Sequence, residues 1–247
     1  MTEVPSASEA ATGRPAPGLL ARLVGVLMSP RETYAAVAAR PRWLGVLAIT
    51  LLLAAAAQYV VLSSPDMQDA IVDQQIGAME SRGNTVSDEQ FAGIERFIGY
   101  LPVIYVVATI VLGPVISAAV AGIVMWIFTT LMGGNATFKQ VFAVMAHAGI
   151  ITALSGLFVA GMMASGAKPI GVRPPGANLG VFVPMLEETS FVSVMLRSID
   201  MFLLWWIVSL AIGLGVLYKR RTGPIATTFI GIYVVIALLI AVFTSGS

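Results

Sequence analysis

Residues 43–62 read WLGVLAITLLLAAAAQYVVL, an uninterrupted apolar stretch without one charged side chain. A helix needs about 20 such residues to cross the roughly 30 Å hydrocarbon core of a bilayer. The whole chain is similar in character, because 57% of its residues are hydrophobic and only 11% are charged, against about 25% charged in a typical soluble domain. This composition predicts an all-α membrane protein built from several spanning helices.

Four more apolar runs are long enough to satisfy all their backbone polar groups as spanning helices. The predicted spans cover residues 43–62, 100–132, 138–164, 199–218 and 224–243. The second run is too long for one straight crossing, and Gly113-Pro114 inside it removes a helical hydrogen bond. We expect a kink there, with the first part of the run lying along or above the outer surface of the membrane.

Lysine and arginine are distributed unequally between the two sides of these spans. Nine basic residues fall on one side: Arg14, Arg22, Arg31, Arg40, Arg42, Lys139, Lys219, Arg220 and Arg221. The segments on the other side carry fewer basic residues and most of the acidic ones. Because cytoplasmic loops are enriched in lysine and arginine, we expect the N-terminus in the cytoplasm and the C-terminus outside.

The sequence predicts a tail, then two short helices, and then one five-span domain over residues 43–247. Residues 1–18 are rich in Ala, Pro, Ser and Gly without an apolar period, which predicts a disordered cytoplasmic tail. Within residues 19–42, leucines at helical spacing predict an amphipathic helix, either on the cytoplasmic leaflet or packed under the bundle. Ser29-Pro30-Arg31-Glu32 then has the order of a helix N-cap, a first-turn proline and a third-position glutamate.

Two long segments on the external side have different signatures. Ser87-Asp88-Glu89-Gln90 precedes apolar residues at helical spacing, which predicts a capped amphipathic helix over the bundle. Residues 165–197 contain several prolines and glycines, so they cannot form a span or a regular strand throughout. We expect this second segment to form a packed, irregular lid.

Three motifs occur in a fixed order around these spans. Ser29-Pro30 with Tyr34 and Pro41 precedes the first span, Gly133-Gly134 with Phe138 forms the turn into the third span, and Asp200, Phe202, Trp205 and Gly213 mark the fourth. Together with the five-span layout, these residues resemble the Yip1-domain family of membrane proteins in its bacterial branch, from about Leu19 to the end of the chain. Ala148-Gly149 stands where the family pattern has a proline or an aromatic residue.

The resemblance implies a function without catalysis. Eukaryotic relatives are linked to vesicle traffic and Rab GTPases, whereas a bacterial member implies a multi-pass inner-membrane protein that organises the membrane or docks other membrane proteins as an accessory subunit. The alternative is a transporter or channel subunit that moves a small solute or lipid. Such a protein usually has an internal repeat and a polar pathway at the midplane, and few polar residues lie within the spans here.

Two ionisable residues lie within or at the start of a predicted span, where such groups are costly. His147 lies nearly half-way along the third span, where it could bond a neighbouring helix or act as a proton relay; the structural role is favoured. Asp200 begins the fourth span, where a carboxylate stabilises the free amides of a helix start. Capping, or pairing with Arg197, is its expected role.

Small residues recur at four-residue spacing on three of the predicted spans. They are Gly113, Ser117 and Ala121, then Gly149 and Ala153, then Ser209 and Gly213, with Pro114 beside the first stripe. Such stripes let helix backbones approach closely in lipid. They predict packing within the bundle, and a face for a partner or for self-association is the alternative.

Composition disfavours several functions. With no cysteine and a single histidine, the chain lacks the usual ligands of a metal site, so no metal ion and no cofactor is expected. A net charge of +1 argues against nucleic acid as a partner. No serine has a suitable base and no catalytic motif is present, so we expect no enzymatic activity. The expected environment is the lipid bilayer.

Overall fold

The computed structural model describes residues 18–183, 185–187 and 189–244. Apart from Gly18, the tail predicted for residues 1–18 lies outside the described residues. The nine α-helices of the described part are α1 (Leu19–Met28), α2 (Pro30–Ala39), α3 (Leu44–Leu62), α4 (Pro65–Glu80), α5 (Asp88–Met132), α6 (Phe138–Ala164), α7 (Phe191–Arg197), α8 (Met201–Leu217) and α9 (Thr222–Thr244). A short 3-10 helix, Leu179–Phe182, lies between α6 and α7.

Four helices, α3, α5, α6 and α9, are long and apolar enough to cross a membrane. The predicted all-α fold with several long apolar helices is therefore confirmed. The fourth predicted span falls on α8, which has 17 residues and is about 26 Å long at the helical rise of about 1.5 Å per residue. Because the hydrocarbon core is about 30 Å thick, α8 lies at the lower limit of a spanning length.

Helix α6 is the centre of the bundle and packs against both α3 and α8. Every residue from Val141 to Ala148 is buried. A Cβ atom added at Gly149 would lie 3.3 Å from the Thr50 side chain, and one at Gly156 would lie 3.3 Å from Ala57. A larger side chain at either glycine would push α3 away, so these glycines set the close approach of α3 and α6.

The connecting segments collect at two ends of the bundle. The turn end consists of α1, α2 and the links 133–137 and 218–221, and the loop end consists of α4, the first turns of α5 and residues 165–200. At the turn end, Gln140 Nε2 donates to the Ala38 carbonyl at 3.0 Å. At the loop end, Lys168 Nζ lies 3.6 Å from Asp66 Oδ1. The predicted grouping of segments on two sides therefore agrees with these contacts.

Helix α5 differs from its prediction. It runs without interruption for 45 residues and includes Pro102 and Pro114, so the amphipathic helix predicted after Ser87 and the second span are one element rather than two. Prolines are tolerated in membrane helices because neighbouring groups compensate for the missing hydrogen bond. The predicted capping box is confirmed, since Ser87 N–H donates to Gln90 Oε1 at 3.0 Å and Gln90 N–H donates back to Ser87 Oγ at 3.3 Å.

Helix α1 packs under the bundle, one of the two placements that its sequence left open. Leu23 and Val26 are buried against the bundle, whereas Leu20, Val24 and Met28 form an apolar stripe with 72%, 57% and 79% of their surface exposed. One face of α1 thus packs under the bundle. The apolar stripe lies outside this packed face.

Ser29 is the single residue between α1 and α2, and it does not cap α2 as predicted. Its side chain makes no capping hydrogen bond, and its backbone angles, φ −141° and ψ 60°, are not those of an extended N-cap. Instead its carbonyl accepts from Thr33 Oγ1 at 3.0 Å, and its N–H donates to the Gly25 carbonyl at 2.8 Å. Pro30 does occupy the first turn of α2, as predicted.

The packing of α8 can be tested at Gly213. A Cβ atom there would lie 2.5 Å from Val144 Cγ1 and 3.1 Å from the Tyr34 ring. Gly213→Ala is therefore expected to lower the free energy of unfolding by about 1–3 kcal/mol, measured by SDS titration of the purified protein in detergent. Gly122→Ala is the matched control, because no atom lies within 4 Å of a Cβ at that position. Equal destabilisation by both substitutions would contradict the packing argument.

Candidate functional site

The turn end is organised around the side chain of Tyr34, which α2 carries into the bundle. Tyr34 is fully buried, and its hydroxyl lies 2.8 Å from Ser209 Oγ of α8. Its ring occupies the space left by Gly213, one helical turn further along α8. Burial raises the pKa of the Tyr34 phenol and the hydrogen bond with Ser209 offsets part of that rise, so the group stays neutral and acts as a structural anchor.

The C-terminal end of α2 is fastened by α6. Thr137 caps α6 by accepting from Gln140 N–H at 3.4 Å, and Thr137 N–H donates to Gln140 Oε1 at 2.9 Å. The same Gln140 side chain then donates through Nε2 to the Ala38 carbonyl. One glutamine thus stabilises the start of α6 and satisfies a carbonyl at the end of α2, where the helix itself supplies no donor.

The turn from α5 to α6 depends on two glycines. Gly133 ends α5 in the left-handed region, with φ 63° and ψ 32°, a conformation that glycine adopts without steric cost. At Gly134 a Cβ atom would overlap the ring of Tyr218, so the absence of a side chain lets this turn contact the end of α8. Phe138, the first residue of α6, stacks on Phe142 with ring centroids 5.7 Å apart.

The family model for the Yip1 domain matches residues 24–244, which include all nine helices except the first turns of α1. The chain belongs to the Yip1 domain family. No curated protein and no solved structure matches it.

The residues that carried the resemblance divide between the two ends of the bundle. Ser29, Pro30, Gly133, Gly134 and Phe138 all lie at the turn end, on the one side to which the predicted topology assigned their segments. Those of α8 begin at the loop end instead. Most of these residues therefore meet at the turn end, which is the candidate functional site.

Asp200 has the capping role that the sequence predicted. Its carboxylate oxygen Oδ1 accepts from the Leu203 N–H at 2.9 Å at the start of α8. Sequence reasoning missed its neighbour Tyr233, whose hydroxyl accepts from the Asp200 N–H at 2.8 Å and donates to the Ser198 carbonyl at 2.7 Å. The local sequence signal for this contact was a tyrosine within the mostly apolar sequence of α9. Trp205 lies in α8 beside Phe202, with 40% of its surface exposed.

The predicted small-residue stripes lie in contacts between helices of the same chain. Gly113 faces Leu51 of α3, since a Cβ atom there would lie 2.7 Å from Leu51 Cδ2. Ala121 and Ala153 are completely buried, and Ser117 and Pro114 are half-buried. Gly149 contacts Thr50, whereas Ser209 and Gly213 contact Tyr34. These contacts agree with packing inside the bundle, the preferred role of the stripes.

His147 is fully buried in α6. Its Nδ1 lies 2.7 Å from the Ala143 carbonyl one turn earlier, and because a carbonyl only accepts, the ring donates from Nδ1. Nε2 is buried without a hydrogen-bond partner among the described residues. The hydrogen bond within its own helix supports a structural role, and the sequence has no second histidine for a relay.

The Yip1 domain also offers no cluster of candidate metal ligands within the described residues. The turn end holds hydrogen bonds, close helix contacts and positive charge. Its basic side chains are the residues that could contact a partner from the aqueous side.

The hydrogen bond between Tyr34 and Ser209 can be tested by a double-mutant cycle. Tyr34→Phe and Ser209→Ala are each expected to lower the free energy of unfolding by about 1–3 kcal/mol, because each leaves a buried partner without its hydrogen bond. The double variant should lose less than the sum of the two, with a coupling energy of about 0.5–3 kcal/mol. SDS titration of the four proteins in one detergent measures the cycle. Tyr59→Phe is the control, since Tyr59 is 49% exposed. Additive effects of Tyr34→Phe and Ser209→Ala would refute the coupling.

Proposed function

We propose that this Yip1 domain protein is a non-catalytic component of the bacterial inner membrane, a scaffold or accessory subunit that docks other membrane proteins. The observation that carries the proposal is the surface of α5. In its most apolar 18-residue stretch no residue is buried inside the chain. The helix therefore needs lipid or protein along nearly its whole apolar length.

The length of α5 exceeds what lipid alone covers. Its 45 residues correspond to about 68 Å of helix, against about 30 Å of hydrocarbon. Leu101 of α5 shares a cavity with Leu62 and Met67, next to the loop-end terminus of α3. Residues of α5 before Leu101 therefore extend past the end of α3.

That extension still carries large apolar side chains. Phe97 and Tyr100 have 59% and 60% of their surface exposed. Helix α4 covers only part of this segment, where Ile98 is buried. Apolar surface exposed beyond the hydrocarbon favours contact with another protein, so the first turns of α5 are the proposed docking surface.

The interior of the bundle favours docking over transport. Among the described residues of the long helices and α8, the buried polar side chains are Thr50, His147 and Ser209. Ser209 is bonded to Tyr34, and His147 is bonded within its own helix. A transport pathway needs a continuous row of polar groups at the midplane, and these three residues are too few to line one.

We further propose five crossings with the turn end in the cytoplasm. The described segments 18–43, 133–139 and 218–224 of the turn end hold one acidic residue, Glu32, against eight basic ones: Arg22, Arg31, Arg40, Arg42, Lys139, Lys219, Arg220 and Arg221. This imbalance is the pattern of a cytoplasmic face. Helix α8 is short, but its tight cap at Asp200 and the basic turn after it mark the two ends of a crossing.

Single cysteines test this topology, because the natural chain contains none. Cysteines placed at Ser81 and Ser165 are expected to react with an impermeant maleimide in intact spheroplasts. Cysteines at Gly18, Asn135 and Arg221 are expected to react only after the membrane is opened. All five positions are exposed in the structure, so labelling is decided by the compartment.

The cysteine-free parent chain and full labelling in detergent are the controls. Labelling of the Arg221 and Ser165 variants from the same side would remove α8 from the crossings. It would leave an even number of spans and contradict the proposed topology.

Affinity purification of the tagged protein in mild detergent tests docking. We expect a membrane protein to co-purify in stoichiometric amount and to be lost from the Phe97→Ala/Tyr100→Ala variant. Val235→Ala/Leu239→Ala on the exposed face of α9 is the matched control and should retain the partner. Equal retention by both variants would refute the docking surface. Solute flux in liposomes that contain only this protein would replace the proposal with a transport function.

A further inference from the structure

The turn end contains a groove of about 690 Å³ that the proposed function does not use. It is lined by Arg31 of α2, by Lys219, Arg220 and Arg221 of the link between α8 and α9, and by Gly215 and Thr222 at the ends of those helices. Four of its lining residues are basic and none is acidic. Two separate elements, α2 and the link, therefore place positive charge around one concave space.

The shape of the groove comes from the way the chain leaves α8. The Arg220 N–H donates to the Gly215 carbonyl at 2.8 Å, which folds the link back on the last turn of the helix. A Cβ atom at Gly215 would lie 3.1 Å from both the Arg220 carbonyl and Thr222 Oγ1. Lys219 completes the turn in the left-handed region, with φ 54°. The basic side chains are thus held close together by a tight turn.

The start of α9 adds to the positive potential. The helix begins at Thr222 and has 23 residues; Pro224 has no N–H, so the free donors of the first three residues are the N–H groups of Thr222 and Gly223. Helix starts favour anions because of these amides and the helix dipole. A phosphate group combines the charge and the acceptor oxygens that arginines and helix amides recognise.

In the proposed topology, on which this step rests, the groove lies at the depth of lipid headgroups. It is formed by the last turn of α8 and the first residues of α9, where two apolar helices meet the polar link. From this position the outer face of α9 continues along the bundle with exposed apolar side chains, among them Ile232, Val235 and Leu239. A lipid whose phosphate is bound in the groove can therefore place its acyl chains beside α9 in the hydrocarbon.

We propose that this groove binds the phosphate of an anionic membrane lipid. The bound headgroup contacts Arg31 and the Lys219–Arg221 turn, and the acyl chains lie along α9. Positive charge that served only to orient the chain would need no concave arrangement across two elements, and it would show no preference among lipids once the protein is folded.

Native mass spectrometry of the full-length protein in a neutral detergent tests the proposal. Phosphatidylglycerol is expected to bind at one site with clear preference over phosphatidylcholine. Each of Arg31→Gln, Lys219→Gln and Arg221→Gln should weaken phosphatidylglycerol binding by about fivefold, the effect of about one unit charge near a headgroup. The triple variant should bind the two lipids equally.

The control is a second triple variant with the same charge change, Arg82→Gln/Arg96→Gln/Arg173→Gln, at exposed positions of the loop end. It should bind phosphatidylglycerol like the natural chain. The proposal is overturned by an equal loss in both triple variants or by equal binding of the two lipids to the natural chain. Displacement of phosphatidylglycerol by millimolar inorganic phosphate would assign the groove to free phosphate instead. If the groove triple variant unfolds, the three single variants decide the outcome.

Discussion

Close contact between the backbones of α3, α6 and α8 is the constraint on which the bundle depends. In lipid no hydrophobic effect drives helices together, so association relies on van der Waals packing and hydrogen bonds. Gly149 and Gly156 bring α3 against α6. Gly213 opens α8 to both Val144 and Tyr34. At each of these positions the residue is glycine, so the neighbouring helix can approach closely. Helix α6 becomes buried as a result.

This central packing also determines which surfaces remain outside. Once α3 and α8 occupy the small-residue faces of α6, helices α5 and α9 can attach only at the periphery, and their apolar side chains face outward. The core is thus closed and nearly free of polar groups, whereas the outer helices and the turn end carry the features available to partners. That division is the physical basis for proposing interaction rather than catalysis or transport.

The apolar runs predicted most of this fold, because burial in lipid imposes a length and a composition that one sequence reveals. The third span was predicted as residues 138–164, the bounds of α6, and the capping box at Ser87 was also correct. Helix α4 was not predicted, since its polar sequence lacks the apolar signal that located the spans. The Tyr34–Ser209 contact joins residues 175 positions apart, and Tyr233 reaches the start of α8 from α9. Such contacts depend on the assembled bundle and have no local pattern.

Helix α2 connects the buried Tyr34 side chain with the proposed lipid groove. Arg31 and Tyr34 are three residues apart, so they are neighbours on the surface of this helix. Tyr34 is locked between Ser209 and Gly213, and Arg31 therefore has a fixed position relative to α8. Gly215, six residues past Ser209 and two residues past Gly213, receives the link that carries the other three basic residues. The same stretch of α8 thus holds both walls of the groove. The backbone of the groove is therefore tied to the core beneath it, so binding has to order the exposed basic side chains but not a separate loop.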